Sequence, residues 1–219
     1  MGTTAEPSPA GSDILICVAT SLEGQDIPRE IAGQTIAVVE TGVGPVNAAF
    51  ALTRALARMR PRVVISLGVG GAYPGSGLAP GDVACASSET YGDLGAESPD
   101  GFLDMQTLGF PVIAGDVPLF NRLSVDVQPL SRAVPFVTCT MCTGTDDTAA
   151  RVAARTGGAV ESMEGAAIVH VARLAHVAVA EIRGISNIAA RRDRSSWKLR
   201  EAIAAARTAA MAAIEDRRC

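Results

Sequence analysis

The sequence predicts a single-domain α/β protein with three layers, in which helices cover both faces of a mixed, largely parallel central sheet. Short runs of β-branched and aliphatic residues alternate along the chain with Ala-rich stretches of helical periodicity, which is typical of α/β proteins. The strand-like runs are continuously apolar, as expected for strands that are covered on both faces. A length of 219 residues suits one domain with a full hydrophobic core.

The predicted elements follow one another as alternating strands and helices. Six runs are predicted to be strands: 14–20, 34–40, 63–67, 82–88, 134–140 and 177–185. Four helices are predicted, over 46–60, 146–156 and 163–174 and in a closing segment that ends at Ile214. Pro45 suits the opening of the first helix, and Ser195 or Ser196 is the expected N-cap of the last. Segment 91–130 is rich in Gly, Pro and Asp and predicts a long loop, either functional or disordered.

The N-terminal residues, the apolar runs and the net charge bear on the location of the protein and on its binding partners. Residues 1–13 lack a basic start and an apolar stretch, so they predict a disordered, solvated tail before a domain over 14–219, and no secretory signal. No apolar run approaches the roughly 18–20 residues of a membrane helix. A net charge of −4 and an aromatic content of 4% argue against nucleic acid, so the expected partner is a small molecule.

The five cysteines are scattered through apolar runs, which indicates a reducing, cytoplasmic setting. Cys139 and Cys142 have the C-x-x-C spacing of a redox or zinc motif. No second pair completes a metal site, so we interpret both as small residues of a buried strand. The prediction is therefore a protein without a metal.

Residues that carry chemistry stand just after the predicted strands, where α/β sheets bind their ligands. They are Glu23, Glu164, Asn187 and two glycine-rich turns, 41–44 and 68–71. Glycine lets backbone approach a ligand closely, and two carboxylates without a metal motif suggest proton handling or sugar binding. Each carboxylate also has a structural interpretation, as a solvated loop residue or as a first-turn acid favoured by the helix dipole. These patterns alone predict an α/β enzyme or a small-ligand binder.

Longer motifs carry a resemblance to a known family. Four stretches of the chain resemble the signature regions of the nucleoside phosphorylase and nucleosidase superfamily. They are E-S-M-E-G-A-A-I-V-H (161–170), E-I-R-G-I-S-N (181–187), T-G-V-G-P-V-N-A-A (41–49) and G-V-G-G-A (68–72). Within that superfamily, A-Y-P-G-S-G-L, E-T-Y-G-D-L-G-A-E and R-G-I-S-N are most similar to the futalosine hydrolases. The resemblance implies a phosphorylase-like fold, release of hypoxanthine from futalosine in a route to menaquinone, no cofactor, and a homo-oligomer, as a dimer or higher.

The resemblance also implies roles for individual residues. Glu23 would activate water, Glu164 would hold ribose hydroxyls, and Met163 would pack against the sugar or base. Asn187 stands where adenine-specific nucleosidases carry Asp, and a carboxamide both donates and accepts hydrogen bonds. Hypoxanthine, which has a 6-oxo group, is therefore the expected leaving group. Gly44, Gly70 and Gly71 would bring backbone close to the substrate.

Three further expectations concern the nucleophile, the leaving group and the far end of the substrate. Ser66 stands where phosphorylases carry a phosphate-binding Arg, and because a dianion needs charge-assisted donors, water is the expected nucleophile. The leaving-group proton would come from solvent or Asp193. The aromatic carboxylate of the substrate is expected in the irregular segment Tyr91 to Phe110, with Phe102 and Phe110 as possible walls. Its counter-charge would come from Arg191, Arg192 or Arg194, or from an arginine of a second subunit.

Two alternatives remain open at this point. One is another purine nucleosidase or phosphorylase of the same fold, acting on inosine or methylthioadenosine. The other is a non-catalytic nucleoside-binding protein.

Overall fold

The structure is a computed structural model that describes residues 12–219. Most of the expected tail lies outside these residues. Asp13, its last residue, is tied to the fold, because its carboxylate accepts hydrogen bonds from the backbone N–H and the hydroxyl of Thr35 at 2.8 and 2.9 Å.

Residues 12–219 form eleven strands and six α-helices. The strands are β1 (Ile14–Val18), β2 (Glu30–Ile31), β3 (Gln34–Glu40), β4 (Val63–Ala72), β5 (Val83–Tyr91), β6 (Gly95–Ser98), β7 (Gly101–Asp104), β8 (Arg122–Ser124), β9 (Ala133–Thr138), β10 (Val160–Ser162) and β11 (Ala178–Ile188). The helices are α1 (Ser21–Gly24), α2 (Pro45–Leu56), α3 (Met105–Leu108), α4 (Asp146–Thr156), α5 (Gly165–Leu174) and α6 (Leu199–Glu215).

Nine strands form one mixed sheet in the order β10-β9-β5-β11-β4-β1-β3-β2, with β8 beside β5. β4 is parallel to β1 and β11, whereas β11 is antiparallel to β5. β10 pairs with β9 and also with β4, through Val160–Ala72 and Glu161–Gly71. Five strands therefore close into a ring. The predicted fold class is confirmed; the ring was not predicted, because the three residues of β10 are too few to show a pattern.

Strand β1 shows why the strands read as continuous apolar runs. Leu15 and Cys17 pack into the core on the side of α2 and α5, and Ile14 and Ile16 pack into a second core against α6. All four side chains are buried. Because helices cover both faces of the sheet, neither face of the strand can be polar.

The prediction of a glycine turn at 68–71 is wrong, because these residues lie inside β4. Their backbone is not left-handed, in contrast to Gly42 and Gly44, whose φ angles of 81° and 95° form a true turn after β3. The glycines of β4 are needed for close packing instead. A Cβ on Gly68 would lie 2.5 Å from a carboxylate oxygen of Glu23, and one on Gly70 would lie 2.6 Å from the side chain of Val160.

Two other expectations about local structure are corrected. Helix α6 begins at Leu199 with Lys198 as its N-cap, because the Lys198 N–H donates to the Ser186 carbonyl at 2.8 Å and holds the preceding segment against β11. Ser195 and Ser196 lie in a separate 3-10 turn. Segment 91–130 is not one loop, since it contains the hairpin β6–β7, α3 and β8, which are too short to be recognised by periodicity.

The closest contact between β11 and α6 gives a test of the packing. A Cβ on Gly184 would lie 2.7 Å from the carbonyl carbon of Ala202, and backbone on neither side can move away easily. We expect Gly184→Ala to lower the free energy of unfolding by about 1–3 kcal/mol, measured by denaturant unfolding. Gly144→Ala is the control, because the nearest atom to its Cβ lies at 3.8 Å. Equal stabilities of the two variants would contradict this packing.

Candidate active site

A cavity of about 370 Å³ opens at the carboxyl ends of β1, β3, β4 and β11. Among the residues singled out in the sequence, those that line it include Glu23, Gly70, Gly71, Met163, Glu164 and Asn187. They come from distant parts of the chain, and the parallel strands bring them to one edge of the sheet.

Glu23 lies in the short helix α1 directly after β1, and it is only 6% exposed. One carboxylate oxygen accepts hydrogen bonds from the backbone N–H and the hydroxyl of Thr20 at 3.0 and 3.1 Å. The other accepts from the Val69 N–H of β4 at 3.2 Å. These three donors hold the carboxylate at the cavity wall, so Glu23 is not a solvated loop residue.

Glu164 is the N-cap residue of α5, but its side chain does not cap that helix. It reaches across the cavity, where Oε1 accepts a hydrogen bond from the Gly44 N–H at 2.9 Å. Gly44 itself is not a lining residue, although Val43 beside it is. Burial raises the pKa of Glu164, and the negative charges of Glu23 and Glu181 add to this, while Arg183 and the Gly44 N–H oppose it.

Arg183 of β11 is a buried cation that the sequence analysis missed. Its guanidinium donates to Glu181 at 2.8 Å and to the Ser66 hydroxyl at 3.0 Å, and it lies 3.8 Å from Glu164. Burial alone would lower the pKa of Arg183, but the carboxylates of Glu181, Glu164 and Glu23 together raise it. The sequence did contain a signal for this ion pair. Glu181 and Arg183 stand two residues apart in an apolar strand, and residues at that spacing share one face of the strand.

Asn187 reaches the cavity because β11 contains a bulge. Ile185 pairs with Gly70 and Asn187 pairs with Gly71, so Ser186 is an extra residue in the strand. A bulge of this kind re-aims the next side chain. The Ser186 hydroxyl donates to Asn187 Oδ1 at 2.7 Å, and the Asn187 amide donates to the Ile188 carbonyl at 3.0 Å.

A third carboxylate, Glu161 of β10, also lines the cavity and was not among the predicted site residues. It accepts hydrogen bonds from the Tyr73 hydroxyl at 2.5 Å and from the backbone N–H and hydroxyl of Thr143 at 2.8 and 2.5 Å. Burial, followed by the charge of Glu161, raises the pKa of Tyr73. Tyr73 therefore remains a neutral donor that fixes Glu161 in place.

The remaining predicted residues lie elsewhere. Tyr91 and Phe102 are not among the lining residues; the Tyr91 hydroxyl lies 3.1 Å from His170 Nδ1, and Arg155 stacks on Phe102 at 4.3 Å. The structure therefore does not bring these two to the cavity of one chain. Asp193 does not line it either, because its carboxylate accepts from the Ser195 N–H at 3.0 Å.

Among the three candidate arginines, only Arg192 lines the cavity. Its guanidinium lies 5.0 Å from the ring centroid of Trp197, which is also a lining residue. The stacking leaves a cation and an aromatic surface side by side at the cavity wall.

The C-x-x-C pair is divided between core and cavity. Strand β9 ends at Thr138, before both cysteines. Cys139 is buried, whereas Cys142 is exposed and lines the cavity. The sulfur of Cys142 lies 3.2 Å from that of Met163. Neither cysteine lies in a strand and only Cys139 is buried, so the interpretation of both as residues of a buried strand is wrong. Within residues 12–219, no group of three or more His, Cys, Asp or Glu side chains is arranged to hold a metal ion. No helix in the same range is long and apolar enough to cross a bilayer.

The arrangement can bind and polarise a small polar molecule. Three carboxylates, those of Glu23, Glu161 and Glu164, line the cavity together with the carboxamide of Asn187, and apolar side chains complete the wall. Such fixed charges in a partly desolvated site can stabilise positive charge that develops on a bound molecule.

Comparisons with known proteins identify the family and the fold of the chain. The family model described as the phosphorylase superfamily matches residues 27–215. Futalosine hydrolase of Thermus thermophilus is 34% identical over 85% of this chain and 86% of that protein. Futalosine hydrolase of Streptomyces coelicolor is 36% identical over 77% of this chain and 74% of that protein. The crystal structure of 5'-methylthioadenosine/S-adenosylhomocysteine nucleosidase from Neisseria meningitidis, in complex with methylthio-immucillin-A, has a similar fold, with a TM-score of 0.75 at 19% identity over 94% of this chain and 99% of that chain.

The fold and the family match place the chain in the phosphorylase superfamily. Within that superfamily, the chain belongs to the futalosine hydrolase family, to judge from identities above one third over most of both sequences. The predicted family is confirmed.

The exposed thiol gives a test of the cavity wall. Cys142 is exposed, and the other four cysteines are buried, so we expect N-ethylmaleimide to modify only Cys142 in the folded protein, as measured by mass spectrometry. Burial raises the pKa of the Cys142 thiol, and the thiolate is the reactive form, so modification should accelerate as the pH rises. Cys142→Ser is the control without modification. Labelling of a buried cysteine in the folded protein would contradict this placement.

Proposed function

We propose that this nucleosidase hydrolyses the N-ribosidic bond of futalosine and releases hypoxanthine, in a route to menaquinone. The observation that carries the proposal is one cavity in which Glu23, Glu164 and Asn187 meet, in a chain that belongs to the futalosine hydrolase family.

The two carboxylates suit the two charges of the reaction. Breaking the N-ribosidic bond produces a sugar cation, and water must then be deprotonated as it attacks the anomeric carbon. Glu23 accepts the proton of this water, since three donors hold its carboxylate in a fixed position. Glu164 binds the ribose hydroxyls and places negative charge beside the cation. Met163, next to it, packs against the sugar.

Asn187 selects the base. Its amide can donate to the 6-oxo group of hypoxanthine and its carbonyl can accept from a protonated ring nitrogen. An aspartate in its place would meet the 6-oxo oxygen with negative charge. Gly71 leaves room for this side chain, because a Cβ there would lie 3.2 Å from the Asn187 amide nitrogen.

Water is the nucleophile rather than phosphate. Ser66, at the position where phosphorylases carry an arginine, is fully buried and accepts a hydrogen bond from Arg183 at 3.0 Å. Arg183 is itself bound to Glu181 at 2.8 Å and is not a lining residue. Its charge is therefore already compensated, and it does not face a dianion in the cavity.

The aromatic acid of the substrate is bound beside Arg192, which offers a cation next to the apolar ring of Trp197.

The chain works as a homo-oligomer, a dimer or higher. Val43 lines the cavity and is half exposed, and Val46 and Phe50 on the neighbouring face of α2 are 80% and 63% exposed. A second copy that covers these side chains would also complete the cavity.

All five cysteines are free thiols, which supports a cytoplasmic location.

Incubation with futalosine, inosine and methylthioadenosine in parallel tests the activity. We expect futalosine to release its base faster than inosine releases hypoxanthine or methylthioadenosine releases adenine, as measured by chromatography of the free bases. The rate should be the same with and without phosphate, and no sugar phosphate should form. Faster release from either other nucleoside, or dependence on phosphate, would refute the proposal.

Replacement of the water-activating group tests the role of Glu23. Glu23→Gln retains the size of the side chain and an acceptor for the Thr20 N–H, but it cannot take a proton. Because general base catalysis contributes about 10²–10⁴-fold in rate, we expect kcat to fall by that factor, whereas the melting temperature should fall only slightly, since the new amide nitrogen cannot accept from the Val69 N–H. Glu215→Gln, at an exposed position, is the matched control. Wild-type kcat in Glu23→Gln would exclude this role.

Base selection is tested by Asn187→Asp. We expect this variant to lose hypoxanthine release and to gain adenine release from matched nucleosides, because the new carboxylate repels a 6-oxo group and accepts from a 6-amino group. The ratio of the two kcat/KM values should change by about 10- to 100-fold. A ratio equal to that of the wild type would show that Asn187 does not contact the base.

A further inference from the structure

Two acidic side chains lie beneath the cavity without lining it. Glu89 of β5 and Glu181 of β11 are both 0% exposed, on adjacent strands of the closed ring. They meet under the first residue of α5, since a Cβ on Gly165 would overlap with both carboxyl groups. Neither residue takes part in the proposed reaction.

The hydrogen bonds of Glu89 locate its proton. Its Oε2 accepts from the Thr90 N–H at 3.1 Å and from the Thr138 hydroxyl at 3.0 Å. The Thr138 hydroxyl is a donor here because it accepts from the Ala166 N–H at 2.8 Å. Glu89 Oε1 has no partner of this kind. Oε2 is therefore the acceptor oxygen of the group, and Oε1 is the oxygen that is free to carry a proton.

The hydrogen bonds of Glu181 are complementary. Its Oε1 accepts from Arg183 Nε at 2.8 Å, which requires a negatively charged or at least accepting carboxyl group. Its Oε2 has no other donor and faces the same space above Gly165 as Glu89 Oε1. Two ionised carboxylates cannot share such a buried position. Burial, and then the charge of Glu181, raises the pKa of Glu89.

We propose that Glu89 and Glu181 are a positioning pair that shares one proton, in which Glu89 Oε1 donates to Glu181 Oε2. The pair then presents one negative charge to Arg183 and holds its guanidinium between Glu23 and Glu164. The position of Arg183 is visible at Gly68, where a Cβ would lie 2.5 Å from Glu23 Oε1 and 2.6 Å from Arg183 Nη1. This inference rests on the proposed function, because it assigns the pair to the same two carboxylates.

The charge of the pair also affects the ionisation of Glu164. The charged groups that act on Glu164 are Arg183, Glu23 and Glu181, and Cys142 lies close enough to sense its charge. Glu89 faces Glu181, Arg183 and the Tyr91 hydroxyl. Without the negative charge of the pair, Arg183 would interact more strongly with Glu164, and the pKa of Glu164 would fall.

Three variants separate a shared proton from a purely structural contact: Glu89→Gln, Glu181→Gln and the double variant. In either single variant the new amide donates to the remaining carboxylate, so one negative charge is retained and kcat/KM for futalosine should fall only a few-fold. The double variant loses the negative charge of the pair, so only Glu164 and Glu23 remain to compensate Arg183. We expect it to lose about 100-fold in kcat/KM, as a displaced reacting group does, which is far more than the product of the single losses.

The pH profile is the second readout. If Glu164 must be ionised, kcat/KM falls as the pH falls through its pKa. This acid limb should stay in place in Glu89→Gln, because no charge is lost there, and it should move to lower pH in the double variant. A purely structural contact would not move this limb.

Thermal unfolding measures the proton without an assay of activity. A carboxyl group whose pKa is raised in the folded state contributes stability that is present below the unfolded-state pKa and is lost as the pH rises through the folded-state pKa. The melting temperature of the wild type should therefore fall with rising pH relative to Glu89→Gln. If the wild type does not cleave futalosine, the proposed function fails, and this measurement still decides whether the proton is shared.

Any of three results would overturn the inference: single variants as damaging as the double variant, a double variant with wild-type kcat/KM, or a melting temperature of Glu89→Gln that follows the wild type at every pH. The unfolding comparison needs only the isosteric single variant, so it remains decisive if the double variant fails to fold.

Discussion

One buried guanidinium compensates the acidic groups around the cavity. Arg183 donates to Glu181 and lies within 3.8 Å of Glu164, and burial of these carboxylates without a cation would cost several kcal/mol for each ion. The same cation donates a hydrogen bond to the buried Ser66 hydroxyl at 3.0 Å. Glu164, Glu181 and Ser66 thus share a single buried cation.

The backbone makes room for this network. Gly68 and Gly70 lie inside β4, where any side chain would displace Glu23, Arg183 or Val160. The bulge at Ser186 turns Asn187 toward the cavity without ending the strand. Closure of the ring by β10 brings Glu161 and Glu164 to the same edge as Glu23. Glu23 and Arg183 can therefore stand close together only because β4 lacks a side chain at Gly68.

The sequence was sufficient for the architecture and for part of the cavity. Continuous apolar strands and helical periodicity predict the layers, and helix α4 has the predicted bounds. Glu23, Glu164 and Asn187 are recognisable because they follow strands or lie in family motifs. Periodicity could not reveal β10, because three residues show no pattern, nor the role of Gly68, which depends on the side chains of distant residues. Arg183 was overlooked because a charged residue in an apolar strand has meaning only with its partners, Glu181 and Ser66.

The central claim is that one furanose lies between Glu23 and Glu164 with its base at Asn187. A crystal structure of the protein with a cationic, non-hydrolysable analogue of a hypoxanthine nucleoside tests it most directly. The account predicts ribose hydroxyls within hydrogen-bonding distance of Glu164, a water molecule on Glu23 beside the anomeric position, and the 6-oxo group facing Asn187. An analogue bound outside this cavity, or with its base turned toward Glu23, would contradict the account.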